Sequence, residues 1–440
     1  MDKKRVIPFS PPDVGEAEIQ EIAQALQSGW ITTGPRTKLL EKRLAAYLCT
    51  GRTDVDVVSR AEAYQNKVVC LSSCTAAEEL ILRILGIGPG DEVIVPAYTY
   101  TATAAAVIHC GARVVFVDIQ KDGDAQTHLP EMDFDRLEKA ITPQTKAVIP
   151  VDLGGLVCDY ERLYAILDRK KPLFTPKQGD GSPLCELSAR MQKALGRVAV
   201  VADSAHSLGA SRMHNGAWTY CGRLADFTCF SFHAVKSFTT GEGGAAAWNP
   251  LPGIQDEELY RMFQLLSLHG QSKDAFAKSQ AGSWEYDIIG PWYKCNMTDV
   301  MGAMGLRQLD RFPQMLERRQ QLIRRYDAFC DQQGIAHLLH TTPTVHGSGH
   351  LYLVRIPNIC EEQRNQIIEK MAQRGVAVNV HFKPLPMMTA YRALGWDISA
   401  FPTAYAYYQN LISLPLYSKL SDADADYVCS SLQAAMEEIR

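Results

Sequence analysis

Five consecutive apolar residues, 198–202, closed by Asp203, constrain this chain more than any other feature. A strand without a polar face is buried on both sides, the condition of strands inside a parallel sheet covered by helices. Asp203 then falls at the carboxyl edge of that sheet, where open α/β folds place their ligand crevices. A carboxylate there needs a cationic partner, or else it caps the segment that follows. Neighbouring stretches repeat the logic. Glu92–Pro96, a small-residue helix at 101–110 and a strand at 113–118 make a βαβ unit, and Val68–Leu71 leads through a hydroxyl-rich turn into an apolar-periodic helix ended by Gly86. The expected fold class is therefore α/β, with a large, mainly parallel sheet.

A chain of 440 residues, 46% of them hydrophobic, buries an ample core and suggests two or three compact units. Beyond Arg318 the character changes: a long charged helix, a strand near 350–356, a helix at 361–374 ended by Gly375, a strand at 376–381 and a final helix. A large domain over 1–317 and a small α+β domain over 318–440 are expected. Two stretches interrupt the pattern. The polar segment 51–66 receives no role, and 171–197 delays the next strand and reads as a surface excursion. That excursion could cover a site mouth, meet a neighbouring subunit or decorate the surface, the last by default.

A net charge of −4 provides no long-range attraction for polyanions, so neither nucleic acid nor an anionic membrane surface is an expected partner. The twelve cysteines form no CxxC pair, and Cys70, Cys110 and Cys229 lie in apolar segments. Reduced, buried thiols are expected rather than disulfides or a metal site. The amino-terminal MDKKRVIPFS leads into no apolar signal-type run, and no stretch is long enough to span a bilayer, so a cytoplasmic protein is expected.

The chemistry concentrates at a few places. Segment 226–248, DFTCFSFHAVKSFTTGEGGAAAW, sets Lys236 in a turn between two apolar runs, with Ser231 before it and Gly241, Gly243 and Gly244 after it. A lysine that forms a Schiff base must be held neutral and rigid, which a tight strand-loop-strand hinge achieves; a solvated hairpin lysine shows the same local pattern. Ser73-Cys74-Thr75 offers hydroxyls and backbone N–H groups to an anion at a helix amino terminus, as ordinary capping would. Tyr98 and Tyr100 each bring a ring that stacks on a flat ligand or fills the core. His206, taken alone, reads as structural rather than functional. Asn296 precedes a long helix capped by Thr298, and His381 and Lys383 follow the strand of the small domain.

Phe230, Ser231, Phe232, His233, Lys236, Thr239 and the run from Gly241 to Gly244 resemble the lysine segment of the DegT/DnrJ/EryC1/StrS aminotransferases, the sugar-aminotransferase branch of the fold-type I pyridoxal-phosphate enzymes. The resemblance implies that fold, pyridoxal 5'-phosphate as cofactor, and Lys236 as the residue that carries it and later shuttles protons. A related branch with histidine at this position catalyses dehydration, and Lys236 argues against it. Residues 203–210, DSAHSLGA, are similar to the family's aspartate motif, which implies Asp203 against the pyridine nitrogen and His206 beside the ring hydroxyl. Ser73, Cys74, Thr75 and Ser231 are implied around the phosphate, although the family usually has glycine where Cys74 stands. Tyr100 is implied as the stacking ring. Residues 293–299 are similar to the segment whose asparagine reaches the partner subunit's cofactor, which implies a homodimer with shared active sites and that role for Asn296. Thr33, in the loop 28–35, and His381 and Lys383 resemble substrate-side positions. The implied reaction moves an amino group from an amino acid, glutamate by family expectation, to a nucleotide-linked keto sugar. A keto-cyclitol acceptor and a non-catalytic, cofactor-binding regulatory protein are the alternatives.

Overall fold

A computed structural model describes residues 5–54, 64, 66–121, 127–273 and 285–439. In chain order its strands are β1 Val68–Leu71, β2 Glu92–Pro96, β3 Arg113–Val117, β4 Thr145–Val148, β5 Ala199–Asp203, β6 Ser211–His214, β7 Ala217–Tyr220, β8 Phe227–Ser231, β9 Gly244–Trp248, β10 Ala336–His337, β11 Val345–His346, β12 Tyr352–Arg355 and β13 Leu411–Leu414. Seven of them form the main sheet in the order β1-β9-β8-β5-β4-β2-β3. The pairs β8-β5, β5-β4, β4-β2 and β2-β3 are parallel, and β9 runs antiparallel to both of its neighbours, β1 and β8. Six strands therefore point the same way, and the segments that follow β1, β2, β4, β5 and β8 leave from one edge. The expected α/β architecture with a mainly parallel sheet is the one observed.

Sequence explains the core of this sheet. β5 is buried along its whole length, and so are β1, β2, β4 and β9, which leaves no face for water. The helix Cys74–Ile84 starts at Ser73, whose hydroxyl accepts the Ala76 N–H at 3.0 Å, and it buries Ala77, Leu80, Ile81 and Ile84 against the strands. Its amino terminus meets the start of β9 so closely that a Cβ at Gly244 would stand 2.4 Å from the backbone N of Cys74. Only glycine permits that approach.

The stretch 171–197 corrects the expectation of a surface decoration. It contains a helix, Pro183–Leu195, that buries Leu187 and Met191. Ser188 Oγ donates to the Ile84 carbonyl at 2.7 Å, Gln192 Nε2 to that of Leu85 at 2.7 Å, and Lys177 Nζ to that of Gly86 at 2.6 Å. Those carbonyls are the acceptors a helix leaves unpaired at its carboxyl end, so the insertion caps the helix whose other end faces the sheet edge. The segment 51–66 lies largely outside the described residues.

The helix Asp299–Gln333 begins at Thr298, whose hydroxyl accepts the Met301 N–H at 3.3 Å, and runs through the expected boundary at 317/318 to Gly334. Its second half joins another core with Tyr326, Tyr352, Ile412 and Leu432, built on the antiparallel sheet β10-β12-β13. Ile7 pairs with Val376 and belongs to this second core as well. The strand expected at 376–381 is reduced to isolated bridges at Val376 and Asn379. The Asn379 side chain takes the Val380 N–H at 2.7 Å, and the chain then turns toward the sheet edge. A third sheet, β11-β6-β7, carries no residue of the site. All twelve cysteines are free, most of them buried.

Candidate active site

A cavity of about 360 Å³ opens at the common edge of the parallel strands. Asp203, at the end of β5, is 5% exposed and forms part of its floor. Its Oδ2 accepts the Thr103 hydroxyl at 2.7 Å and its Oδ1 the Ala205 N–H at 3.1 Å, donors that suit an ionised carboxylate. Lys236 enters the cavity from the turn after β8. Its backbone N–H donates to the His233 carbonyl at 2.9 Å, while Thr240 N–H and Thr239 Oγ1 both donate to the Phe232 carbonyl, which makes the hinge rigid. Burial lowers the Lys236 ammonium to about 8 against the opposing pull of Asp203 and Cys74, so a substantial neutral fraction exists near pH 8.

The helix amino terminus brings Ser73, Cys74 and Thr75 to one wall, and Ser231 stands beside them. First-turn N–H groups have no partner within their own helix, so this wall suits an anion even with cysteine in the middle position. His206 accepts the Gly154 N–H at Nδ1, at 3.1 Å, so the neutral ring carries its proton on Nε2. Burial, and then Lys236 and His381, hold this imidazole well below the usual histidine range. Of the two tyrosines, Tyr98 is fully buried: its hydroxyl donates to the His381 carbonyl and accepts the Phe382 N–H, both at 2.8 Å. Tyr100 is 59% exposed and lines the cavity, with its ring tilted against that of Phe382 at 5.7 Å between centroids.

His381 also reaches the cavity; its Nδ1 lies 2.9 Å from Ser413 Oγ, and burial followed by Lys236 lowers it to about 4. Lys383 is exposed and stands away from the cavity wall. Thr33 and Asn296 meet each other elsewhere: Asn296 Nδ2 donates to Thr33 Oγ1 at 2.6 Å, and that hydroxyl donates to the Met297 carbonyl at 2.5 Å. The buried Asp299 fixes this corner by accepting the N–H groups of Gly34, Arg36 and Thr37. Neither Thr33 nor Asn296 lines this chain's own cavity.

Two further buried ionisable residues line the cavity. His350 lies against His206 with ring centroids 4.4 Å apart, and burial, then His206 and Lys236, hold it well below the histidine range. Nothing local in Gly-Ser-Gly-His signals this, because the small unit's loop carries the ring there. Glu78, 0% exposed, lies on the floor with its Oε2 unpartnered. Its signal was legible: it follows Cys74 by one helical turn and so shares the buried stripe. Burial, and then Glu78 and Asp203, push the Cys74 thiol well up.

An amine facing a carboxylate across one cavity, with an anion wall on one side and an aromatic ring at its edge, fits pyridoxal phosphate. Lys236 would carry the aldehyde carbon, Asp203 the ring nitrogen and Ser73, Thr75 and Ser231 the phosphate.

The sequence model of the DegT/DnrJ/EryC1/StrS aminotransferase family matches residues 12–174 and 184–433, leaving out only part of the 171–197 insertion between them. The chain is 34% identical to the spore coat polysaccharide biosynthesis protein SpsC of Bacillus subtilis, over 98% of this chain and 97% of that one. Among solved structures, the sugar aminotransferase Spr1654 of Streptococcus pneumoniae superposes in its PMP form with a TM-score of 0.88 at 51% identity, over 99% of this chain and 100% of that one. Its PLP form gives 0.87 at 49% identity, over 99% and 100%.

Proposed function

This chain belongs to the DegT/DnrJ/EryC1/StrS aminotransferase family, the pyridoxal-phosphate-dependent sugar aminotransferases, and from that premise we propose that it moves the amino group of glutamate to a nucleotide-linked keto sugar. The observation that carries the reading is Lys236 facing Asp203 across one buried cavity. When bound, the cofactor supplies the electron sink for the pair left at the substrate Cα. Lys236 Nζ takes the Cα proton of the amino donor and delivers it one conjugated position away; for the keto acceptor it works in reverse. Asp203 keeps a proton on the ring nitrogen. His206 presents its Nε2–H to the ring hydroxyl, and Tyr100 covers one face.

The chain's fold supports further parts of this reading. In this reading His381, which lines the cavity, meets the acceptor, and Lys383, exposed and outside the wall, meets a diphosphate extending beyond it. Thr33 and Asn296 pair at a corner their own cavity does not use, which supports a homodimer with each chain completing its partner's site. No helix among the described residues is long and apolar enough to cross a membrane, and a cytoplasmic setting with soluble metabolites belongs to the same proposal.

An absorption spectrum of the cofactor-loaded protein tests it. Glutamate is expected to convert the band of lysine-bound cofactor to that of the amine form, a keto sugar to restore it, and Lys236→Ala to remove the lysine-bound band and slow the amino transfer steeply. A band that no amino acid converts would overturn the reading. Inhibition by a nucleoside diphosphate is expected for a nucleotide-linked acceptor and not for a cyclitol.

A further inference from the structure

The floor of the cavity contains one more acid than the reaction needs. Glu78 and Asp203 are 0% and 5% exposed, and Cys74 Sγ, a Glu78 oxygen and an Asp203 oxygen all lie within 4.8 Å of one another. Two carboxylates this close in a dry site do not both ionise. The hydrogen bonds decide which one keeps the charge. Asp203 receives the Thr103 hydroxyl and the Ala205 N–H, whereas Glu78 receives only the weak Cys74 thiol, 3.9 Å from Oε1, and its Oε2 receives nothing. A buried carboxylate without donors is costly, but a buried carboxylic acid has an O–H to give.

We propose that Glu78 is a positioning residue that carries a proton and donates it in a hydrogen bond to Asp203, drawing off part of the charge that Asp203 offers to the ring nitrogen of the cofactor. Glu78 stands on the helix that also forms the anion wall, so one element sets both ends of the cofactor. The groups facing it are Cys74 on its own helix, Asp203 on β5 and Cys229 on β8; Lys236 faces Cys74 and Asp203 from the hinge. Burial and the neighbouring Asp203 drive its titration well up, in the same direction as the geometry.

The second part of the test rests on the cofactor reading; the first does not. In cofactor-free protein at pH 7, the infrared difference between wild type and Glu78→Gln is expected to contain the C=O stretch of a carboxylic acid. A difference containing only carboxylate bands would overturn the proposal whatever the reaction is. In protein loaded with ring-15N pyridoxal phosphate, Glu78→Leu removes the donor and is expected to move the ring-nitrogen resonance toward a full pyridinium. Glu78→Gln keeps an N–H donor and is expected to leave the resonance at the wild-type position. An unmoved resonance in Glu78→Leu, or an equal shift in both variants, would refute the charge-sharing role. Wild-type protein that takes up no pyridoxal phosphate would defeat the functional reading, with the infrared result still deciding the protonation of Glu78.

Discussion

The floor and the rim of the cavity are built by different means. Cys74, Glu78 and Asp203 stand on one helix and one parallel strand, elements buried along the sides that matter, and each has its direction set by the regular backbone. Tyr100, His381 and Phe382 stand on loops, and their arrangement depends on how the small unit meets the sheet. The joint is visible: Tyr98, under the sheet edge, holds the His381 carbonyl and the Phe382 N–H through a single hydroxyl. The comparison assigns chemistry common to every substrate to the rigid floor and choice of substrate to the adjustable rim.

The sharpest way to break that division is at the hinge lysine. Lys236→Ala is expected to slow amino transfer by about 10²–10⁴-fold for every acceptor, measured as single-turnover conversion of the bound cofactor. Asp203→Asn removes a charged hydrogen bond on the floor and is expected to cost about 10–100-fold in the same measurement, again without changing the preference among sugars. At the rim, Tyr100→Ala is expected to weaken cofactor retention by only about 2–10-fold, read by equilibrium dialysis. Tyr98→Phe severs the joint rather than the chemistry; a loss of about 1–2 kcal/mol in urea unfolding is expected, together with a larger change in the KM for the sugar than in kcat. A floor variant that altered sugar preference, or a rim variant that abolished the reaction with glutamate, would contradict the division.

The smallest effect is one of pH. Because burial lowers the Lys236 ammonium to about 8, the rate of cofactor attachment to the apo protein should rise through pH 8 and level off above it. The sign for stability follows from proton counting. Between about pH 8 and the ordinary lysine range the unfolded chain binds more protons at this residue than the folded one, so raising the pH across that window stabilises the fold. Urea unfolding of the apo protein is therefore expected to show a gain over that window that Lys236→Met lacks.

Much of this site was readable along the chain because its chemistry sits at element boundaries. An apolar strand ending in Asp203, a hydroxyl turn opening a helix and a glycine-flanked lysine each announce themselves within a few residues. Glu78 was readable in principle, one turn beyond Cys74. It was disguised by Glu79, which does what surface glutamates do and pairs with Arg83 and His109. The stretch 171–197 reads as a surface excursion because it delays the next strand, and only the helix end that Ser188 and Gln192 cap shows where it packs. Thr33 and Asn296 were legible as family positions, whereas their contact with each other was not.

Sequence by itself determined the periodicities, hence the sheet, its covering helices and the edge at which Asp203 and Lys236 emerge. Those are short-range consequences of side-chain alternation and backbone hydrogen bonding. Tertiary structure alone decided that Glu78 faces Asp203, that His350 leans on His206, and that a second core supplies His381 to the rim. These groups meet because of strand order and the docking of two cores, and the energy of such a meeting depends on desolvation and on partners far away in the chain, which no local pattern encodes.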